Sequence, residues 1–325
     1  MGAREWSSTL APVRVLIVTN MYPTPQRPAF GRFVADQVQA LRELPEMDLT
    51  VHVLSGGSPA SYARAAAELR RQYRGERFDV VHAHFGLSAW PALAVRASVH
   101  GVTLHGTDLS HPRSRAITLA ALPMLQIVGT VSAELAQRVP RWATVRTRAH
   151  RPQVLPCGVD LHRFERIDRA GARAELGLVP DHPYLLFPSD PARPEKRFDL
   201  ARQLAGETEL LTLGDVVPER VPLYVNAANA VLVTSDREGF GLATLEALAC
   251  DVPVLATPHG IAPEALAGVQ GTLCAPFDAA TWGAALAPHV AAQDPRIYGR
   301  AAAERYSAAT MALRIAQAWR AALPG

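Results

Sequence analysis

The chain has 325 residues, of which 49% are hydrophobic and 19% charged, and its formal net charge is +3 at pH 7. At about 150 residues per domain this length predicts two domains, and the composition excludes an intrinsically disordered chain. No apolar run reaches the roughly 18 residues that a membrane span needs, no signal peptide is predicted, and the three scattered cysteines indicate neither a disulfide framework nor a zinc site, which favours a reducing cytoplasm.

The first half alternates short β-branched runs with amphipathic stretches. Strands are predicted at Val13–Val18, Leu49–Leu54, Asp79–His84, Gly101–Leu104, Met124–Val128 and Gln153–Pro156. Helices are predicted between them at Phe33–Glu43, Tyr62–Tyr73, Ala89–Ser98, Arg113–Leu122 and Ala133–Val139. Strands that alternate with helices form βαβ units, and therefore a parallel sheet covered by helices on both faces.

The pattern restarts after the polar stretch Asp160–Leu178. Further strands are predicted at Tyr184–Phe187, Leu210–Leu213, Ala230–Thr234, Pro253–Ala256 and Gly271–Cys274, and the chain ends in a helical pattern at Pro295–Leu323. The predicted fold is α/β, with two Rossmann-like, doubly wound parallel-sheet domains facing a central cleft. Ligands bind outside the carboxyl ends of the strands in such sheets.

The basic and acidic residues are unevenly distributed in two ways. Lys196 is the only lysine among 33 basic residues, which suggests a position where a compact ammonium differs from a planar guanidinium. Residues 1–157 hold 18 arginines and 10 acidic residues, whereas the rest of the chain holds 15 basic and 20 acidic residues. The halves therefore carry opposite net charge, as two domains with different partners would.

The segment Asp236–Glu246, which follows a predicted strand and opens a helix, carries the most chemical information. Its two glycines, Gly239 and Gly241, allow close approach of the backbone, and the free N–H groups of the helix form an anion site. Glu238 and Glu246 stand about two helical turns apart and can face the same side. Two carboxylates flanking such a site suit a nucleotide sugar; a capped helix with a solvated glutamate face is the alternative.

The string EGFGLATLEALACDVPVLAT resembles the E-x7-E signature of the retaining glycosyltransferases of family 4, which have the GT-B fold. Other strings follow in the order of that family over nearly the whole chain: NMYPTPQRPAFGRFVADQVQAL, VVHAHFG, VTLHGTDLS, VLPCGVDLHRF, PEKRFDLA and HGIAPEAL. The resemblance implies that Glu238 binds the donor sugar together with backbone N–H groups near Phe240, Gly241 and Leu242. It also implies that Glu246 holds the ribose and that Lys196 neutralises the leaving diphosphate.

Three further residues are singled out: His105 and Gly31 by the resemblance, and Asp108 by its place three residues after His105. His105, in HGTD, is expected against the donor sugar, with a buried structural histidine as the alternative, and Asp108 is expected either to cap the next helix or to act in catalysis. Gly31 corresponds to the close-approach glycine of the first loop, although this chain has Phe30 where relatives have a second glycine.

The sequence departs from the family ahead of Lys196. Asp190 and Pro191 stand where a Gly-Arg pair is usual. Arg193 is the predicted substitute for the missing arginine, and Arg197 is the second candidate. His82, His84 and Phe85 are expected to line an acceptor cleft rather than to bind a metal.

Together with the resemblance, these observations predict a cytoplasmic retaining glycosyltransferase of the hexosyltransferase type. Residues 1–157 are expected to form a Rossmann-like domain that binds the acceptor, and residues 158–300 a shortened Rossmann-like domain that binds the nucleotide sugar. Residues 301–325 are expected to form a helix that packs back on the first domain. The expected donor is a UDP-sugar; no metal or other cofactor and no nucleic acid is expected. The acceptor is a small molecule, glycan or lipid-linked hydroxyl compound, and an anionic or membrane-associated acceptor at the inner face of the membrane would fit the basic first domain. The alternatives are a weakly active or inactive partner protein and a nucleotide-sugar epimerase of the same fold.

Overall fold

The computed structural model describes residues 12–55 and 58–324. The expectations about a leader sequence and the start of the first domain concern residues 1–11, which lie outside the described residues. None of the helices described is long and apolar enough to cross a membrane.

The first lobe is built around a six-stranded parallel sheet in the order β2-β1-β3-β4-β5-β6. Its strands are β1 (Val13–Thr19), β2 (Met47–Val53), β3 (Phe78–His84), β4 (Ala97–Leu104), β5 (Ile127–Thr130) and β6 (Gln153–Val154). Its helices are α1 (Arg32–Arg42), α2 (Pro59–Gln72), α3 (Ala89–Ala92), α4 (Thr107–Ser110), α5 (Pro112–Ala121) and α6 (Ala133–Gln137).

The second lobe has a five-stranded parallel sheet in the order β11-β10-β9-β7-β8. Its strands are β7 (Tyr184–Phe187), β8 (Glu209–Thr212), β9 (Ala230–Val233), β10 (Val254–Ala256) and β11 (Leu273–Cys274). The helices of this half are α7 (Arg169–Leu176), α8 (Phe198–Ala205), α9 (Val221–Ala227), α10 (Leu242–Ala249), α11 (Ala262–Ala265), α12 (Ala279–Ala291), α13 (Arg300–Glu304) and α14 (Ala308–Ala322).

The predicted fold class is confirmed: there are two parallel-sheet α/β domains. Strands β7 and β9 are buried along their whole length, as are residues 15–18 of β1, which is why these stretches are continuous apolar runs in the sequence. The predicted boundary at residues 157 and 158 lies between β6, the last strand of the first sheet, and α7.

Two predicted helices are wrong in extent. The stretch Ala89–Ser98 is helical only to Ala92, because Ala97 and Val99 already pair with Phe78 and Val80 of β3. The pattern Pro295–Leu323 forms two helices, α13 and α14. The break occurs at Ser307, whose hydroxyl accepts a hydrogen bond from the N–H of Thr310 and so begins a new helix.

The break in the C-terminal pattern lets the chain return to the first lobe. The N–H of Val159 donates to the Tyr306 carbonyl and the N–H of Ala308 donates to the Val159 carbonyl, both at 2.9 Å. The two segments that connect the lobes therefore run side by side. Beyond them, Trp319 of α14 belongs to one buried cluster with Val15, Ile17 and Val38 of the first lobe.

Candidate active site

A cavity of about 420 Å³ lies between the lobes, at the carboxyl ends of the second sheet. Its walls include the loops that follow β7 and β9, together with residues of α1 in the first lobe. Because β7 and β9 are neighbours whose connections leave in opposite directions along the sheet, their loops diverge and open a crevice between them. The location is the one that a doubly wound sheet provides for a ligand.

Lys196 and Glu238 meet in this crevice. The ammonium of Lys196 lies 2.6 Å from Oε1 of Glu238, and the hydroxyl of Ser235 donates to the same oxygen at 2.7 Å. Their side chains are only 15% and 9% exposed. The sequence predicted a role for both residues but not this contact, and it did not single out Ser235. The pair places a cation and a carboxylate together on the cavity wall.

The loop after Glu238 touches the first lobe through its backbone. A Cβ built on Gly239 would lie 2.0 Å from the carbonyl oxygen of His105, so only glycine fits there. Gly241, with a φ of +87°, is the N-cap of α10, whose first helical residue is Leu242. Gly241 and Leu242 line the cavity, whereas the Phe240 side chain is buried.

The first turn of α10 offers free donors to the cavity. The amide N–H groups of Leu242 and Ala243 form no hydrogen bond with any other described part of the chain, and both residues line the cavity. Unpaired N–H groups at a helix start attract anions such as phosphate.

Glu246, one turn further along α10, also lines the cavity. Removal from water raises the pKa of its carboxyl group to about 7; nearby Arg163 lowers that pKa and Asp36 raises it. Asp36, on α1, accepts hydrogen bonds from Arg163 at 2.8 and 3.3 Å and from Arg32 at 2.8 Å. Arg32 in turn reaches Glu219 of the second lobe at 3.1 Å.

This charged cluster of Arg32, Asp36, Arg163 and Glu219 was not predicted from the sequence. Its members are far apart in the sequence, and only the spacing of Arg32 and Asp36 on α1 could have suggested one of the pairs.

The two arginines near Lys196 differ in their surroundings. Arg193 lines the cavity, with its guanidinium donating to Glu195 at 2.6 and 3.0 Å. Arg197 is held by Asp199 and Asp236, and these hydrogen bonds raise its pKa. Arg197 is not among the residues that line the cavity.

His105 lies at the end of β4, next to the glycine contact between the lobes. The residue is partly buried, and its ring packs against Phe33, a cavity residue, with ring centroids 4.9 Å apart. Asp108 is fully buried and accepts hydrogen bonds from the backbone N–H groups of His105, Gly106 and Gly86. Asp108 therefore shapes the loop and does not reach the cavity.

The expectation that His82 and His84 line an acceptor cleft is wrong, since both side chains are completely buried on β3. Gly31, with a φ of +72°, packs against the backbone of Met21 and Tyr22 and begins α1. It is Ala29 of the same loop that lines the cavity. No group of three His, Cys, Asp or Glu side chains suited to a metal ion occurs in residues 12–55 and 58–324.

Solved structures share this architecture. Sucrose-phosphate synthase from Thermosynechococcus elongatus superposes with a TM-score of 0.71 at 18% identity, covering 95% of this chain and 98% of that one. Anabaena HepE in complex with UDP-glucose gives a TM-score of 0.67 at 16% identity, covering 95% and 99%. Two doubly wound lobes around a cleft are the GT-B fold of glycosyltransferases.

The sequence comparisons identify the family. A model of "Glycosyltransferase Family 4" matches residues 8–163, and one of "Glycosyl transferases group 1" matches residues 185–301. A D-inositol 3-phosphate glycosyltransferase from Actinosynnema mirum is 30% identical over 69% of this chain and 67% of its own length. One from Nocardia farcinica is 27% identical over 79% of this chain and 71% of its own. The chain belongs to glycosyltransferase family 4.

Proposed function

We propose that this glycosyltransferase takes a UDP-sugar as donor and transfers the sugar to an acceptor hydroxyl with retention of configuration and without a metal ion. The Lys196–Glu238 pair at the crevice between β7 and β9 carries the proposal. The start of α10, with its two N–H groups that are unpaired in the described part of the chain, lines the same cavity. HepE, a neighbour in fold, has been crystallised with UDP and with UDP-glucose, which supports the choice of donor.

The diphosphate, the sugar and the ribose of a nucleotide sugar each have a proposed partner in the cavity. The diphosphate suits the N–H groups of Leu242 and Ala243 together with the ammonium of Lys196. Glu238 and Glu246 provide acceptors for the hydroxyls of the sugar and of the ribose. Arg193, on the cavity wall, is the proposed second cation for the diphosphate.

The reaction develops negative charge as the bond between the anomeric carbon and the diphosphate oxygen breaks. Lys196 stabilises that charge, because a fixed cation in a partly buried site needs little reorganisation. For retention, the acceptor oxygen attacks from the face that the diphosphate leaves, and a diphosphate oxygen takes the acceptor proton. The relatives named as D-inositol 3-phosphate glycosyltransferases and the basic first lobe both favour an anionic polyol as acceptor.

A donor panel tests the proposal. UDP- and GDP-sugars are incubated with inositol phosphates and other polyols, and the anomer of the product is read by NMR. Glu238→Gln and Lys196→Met should each lower kcat by about 100-fold or more, whereas Arg202→Gln, an exposed change on α8, should leave it unaltered. Lys196→Arg should also be impaired, because a planar guanidinium replaces a compact charge.

Other outcomes would contradict parts of the proposal. Wild-type turnover in Glu238→Gln or Lys196→Met removes the site assignment. Binding of donor without turnover indicates a partner protein, and interconversion of donor sugars without acceptor indicates an epimerase. Chelator should leave the rate unchanged; a loss that Mg²⁺ or Mn²⁺ restores contradicts the metal-free reaction.

A further inference from the structure

Three histidines that the proposed reaction does not explain lie together under the ends of β3 and β4. His82 and His84 are on β3 and are completely buried, and His105 follows β4. Nδ1 of His84 lies 3.0 Å from Nε2 of His105; the ring centroids are 5.2 Å apart and the ring planes differ by 27°, so the two rings meet edge to edge. Two imidazoles in direct contact must agree on which nitrogen carries the proton.

The contact with Gln37 of α1 determines which ring nitrogen of His84 carries the proton. The amide nitrogen of Gln37 lies 3.0 Å from Nε2 of His84, and an amide nitrogen only donates. Nε2 of His84 therefore accepts. Burial lowers the pKa of His84 to about 4, so the ring is neutral near pH 7 and its single proton is on Nδ1. The His84 Nδ1–H then donates to Nε2 of His105.

The proton of His105 is fixed by its contact with His84. Burial, together with the neighbouring His84 and His82, lowers the pKa of His105 well below its ordinary value. Its Nε2 accepts from His84, so the one proton of the neutral ring is on Nδ1. No side chain or backbone group in residues 12–55 and 58–324 forms a hydrogen bond with that Nδ1. The Nδ1–H of His105 therefore has no partner among the described residues.

His82 does not disturb this arrangement. The indole N–H of Trp319 donates to Nδ1 of His82 at 3.0 Å, and Nε2 of His82 lies 2.8 Å from the hydroxyl of Thr103. Because the indole only donates, the proton of His82 is on Nε2 and goes to Thr103. Both ring nitrogens of His82 therefore form hydrogen bonds with Trp319 and Thr103, and neither bonds to His84.

We propose that Gln37 and His84 are positioning residues that hold His105 as the Nδ1–H tautomer, so that it presents a hydrogen-bond donor to an oxygen of the bound nucleotide sugar. The Phe33 contact and the Gly239 contact place His105 beside the cavity and beside Glu238. The ligand half of the proposal rests on the proposed function; the tautomer half depends only on the hydrogen bonds described above.

The tautomer is tested first, without any substrate. In protein labelled with ¹⁵N-histidine, the His105 signals are assigned by their loss in His105→Gln. We expect a protonated Nδ1 and an unprotonated Nε2 near pH 7. His84→Phe and Gln37→Met should each give His105 signals averaged between the two tautomers. His84→Asn should keep the wild-type signals, because its amide nitrogen is bonded to Cγ as Nδ1 is. A proton on Nε2 in the wild type, or no change in both His84→Phe and Gln37→Met, overturns the proposal.

The reaction is tested second, with the donor found in the panel. His84→Phe should lower kcat about tenfold, the size of one neutral hydrogen bond, with little change in KM for the acceptor, and His84→Asn should restore most of the rate. Altered tautomer signals with wild-type kcat would overturn the positioning role while leaving the proposed function intact. If no donor is turned over but the wild-type tautomer is as expected, the proposed function fails and the assignment for His105 stands.

Discussion

Glu246 gives the active site a measurable pH dependence at the scale of a single residue. Its pKa is raised from 4.5 to about 7 by removal from water. Between these values the folded protein binds a proton that the unfolded chain has lost, so stability falls as the pH rises and the full penalty is present above pH 7.

Glu246→Gln removes this penalty. The variant should be more stable than the wild type at pH 8 by on the order of 2 kcal/mol, with a much smaller difference at pH 5. Thermal melting at the two pH values measures this. Glu304→Gln, whose carboxylate is 57% exposed, is the matched control and should give similar differences at both. An equal gain in stability from Glu246→Gln at pH 5 and pH 8 would contradict the raised pKa of Glu246.

The sequence alone predicted which residues lie together only where they belong to one segment. Glu238, Gly241 and Glu246 follow each other on one loop and helix, and their spacing alone suggested a shared face. The partners of Glu246, which are Asp36 and Arg163, come from α1 and from the segment between the lobes. Their meeting depends on how the lobes pack, which no local pattern in the sequence encodes.

At the scale of elements, the loop between β9 and α10 depends on close backbone contact across the cleft. A side chain at Gly239 would collide with the His105 carbonyl. Gly239→Ala should therefore cost roughly 1–3 kcal/mol of stability and lower the transfer rate at least tenfold, because Glu238 moves with the loop.

A second glycine provides the comparison for that variant. Gly283 lies inside α12, and a Cβ there would meet nothing within 4 Å. Gly283→Ala should raise stability by roughly 0.5–1 kcal/mol and leave the rate unchanged. Denaturant unfolding and initial rates measure both effects. Wild-type activity in Gly239→Ala would show that the loop tolerates displacement.

The strands were predicted more closely than the helices at this scale. Double-sided burial makes β7, β9 and most of β1 continuous apolar runs, so these strands were evident in the sequence. The helical periodicity of Ala89–Ser98 and Pro295–Leu323 continued past the real helix ends. Pairing with β3 ended the first helix, and the bridge to Val159 divided the second pattern.

At the scale of the whole molecule, the first lobe is completed by the last helix of the chain. Trp319 is completely buried against this lobe, and its indole donates to His82. Trp319→Ala should cost about 3–5 kcal/mol, as truncation of a large core side chain does.

A neighbouring residue of α14 serves as the control. Leu313 is 49% exposed, so Leu313→Ala should cost less than about 1 kcal/mol. Urea titrations monitored by circular dichroism distinguish the two. Equal, small losses would show that α14 contributes little to the stability of the first lobe.

The paired crossing at Val159 and Tyr306–Ala308 also restricts how the lobes can move. Because two hydrogen-bonded segments that run side by side join the lobes, we expect the cleft to open by rotation of one lobe about this crossing. Contacts between the lobes away from this crossing, such as Arg32 with Glu219 and Glu134 with the N–H of Gly260, would separate when the cleft opens. We therefore expect substrate entry to break a few polar contacts while both cores stay intact.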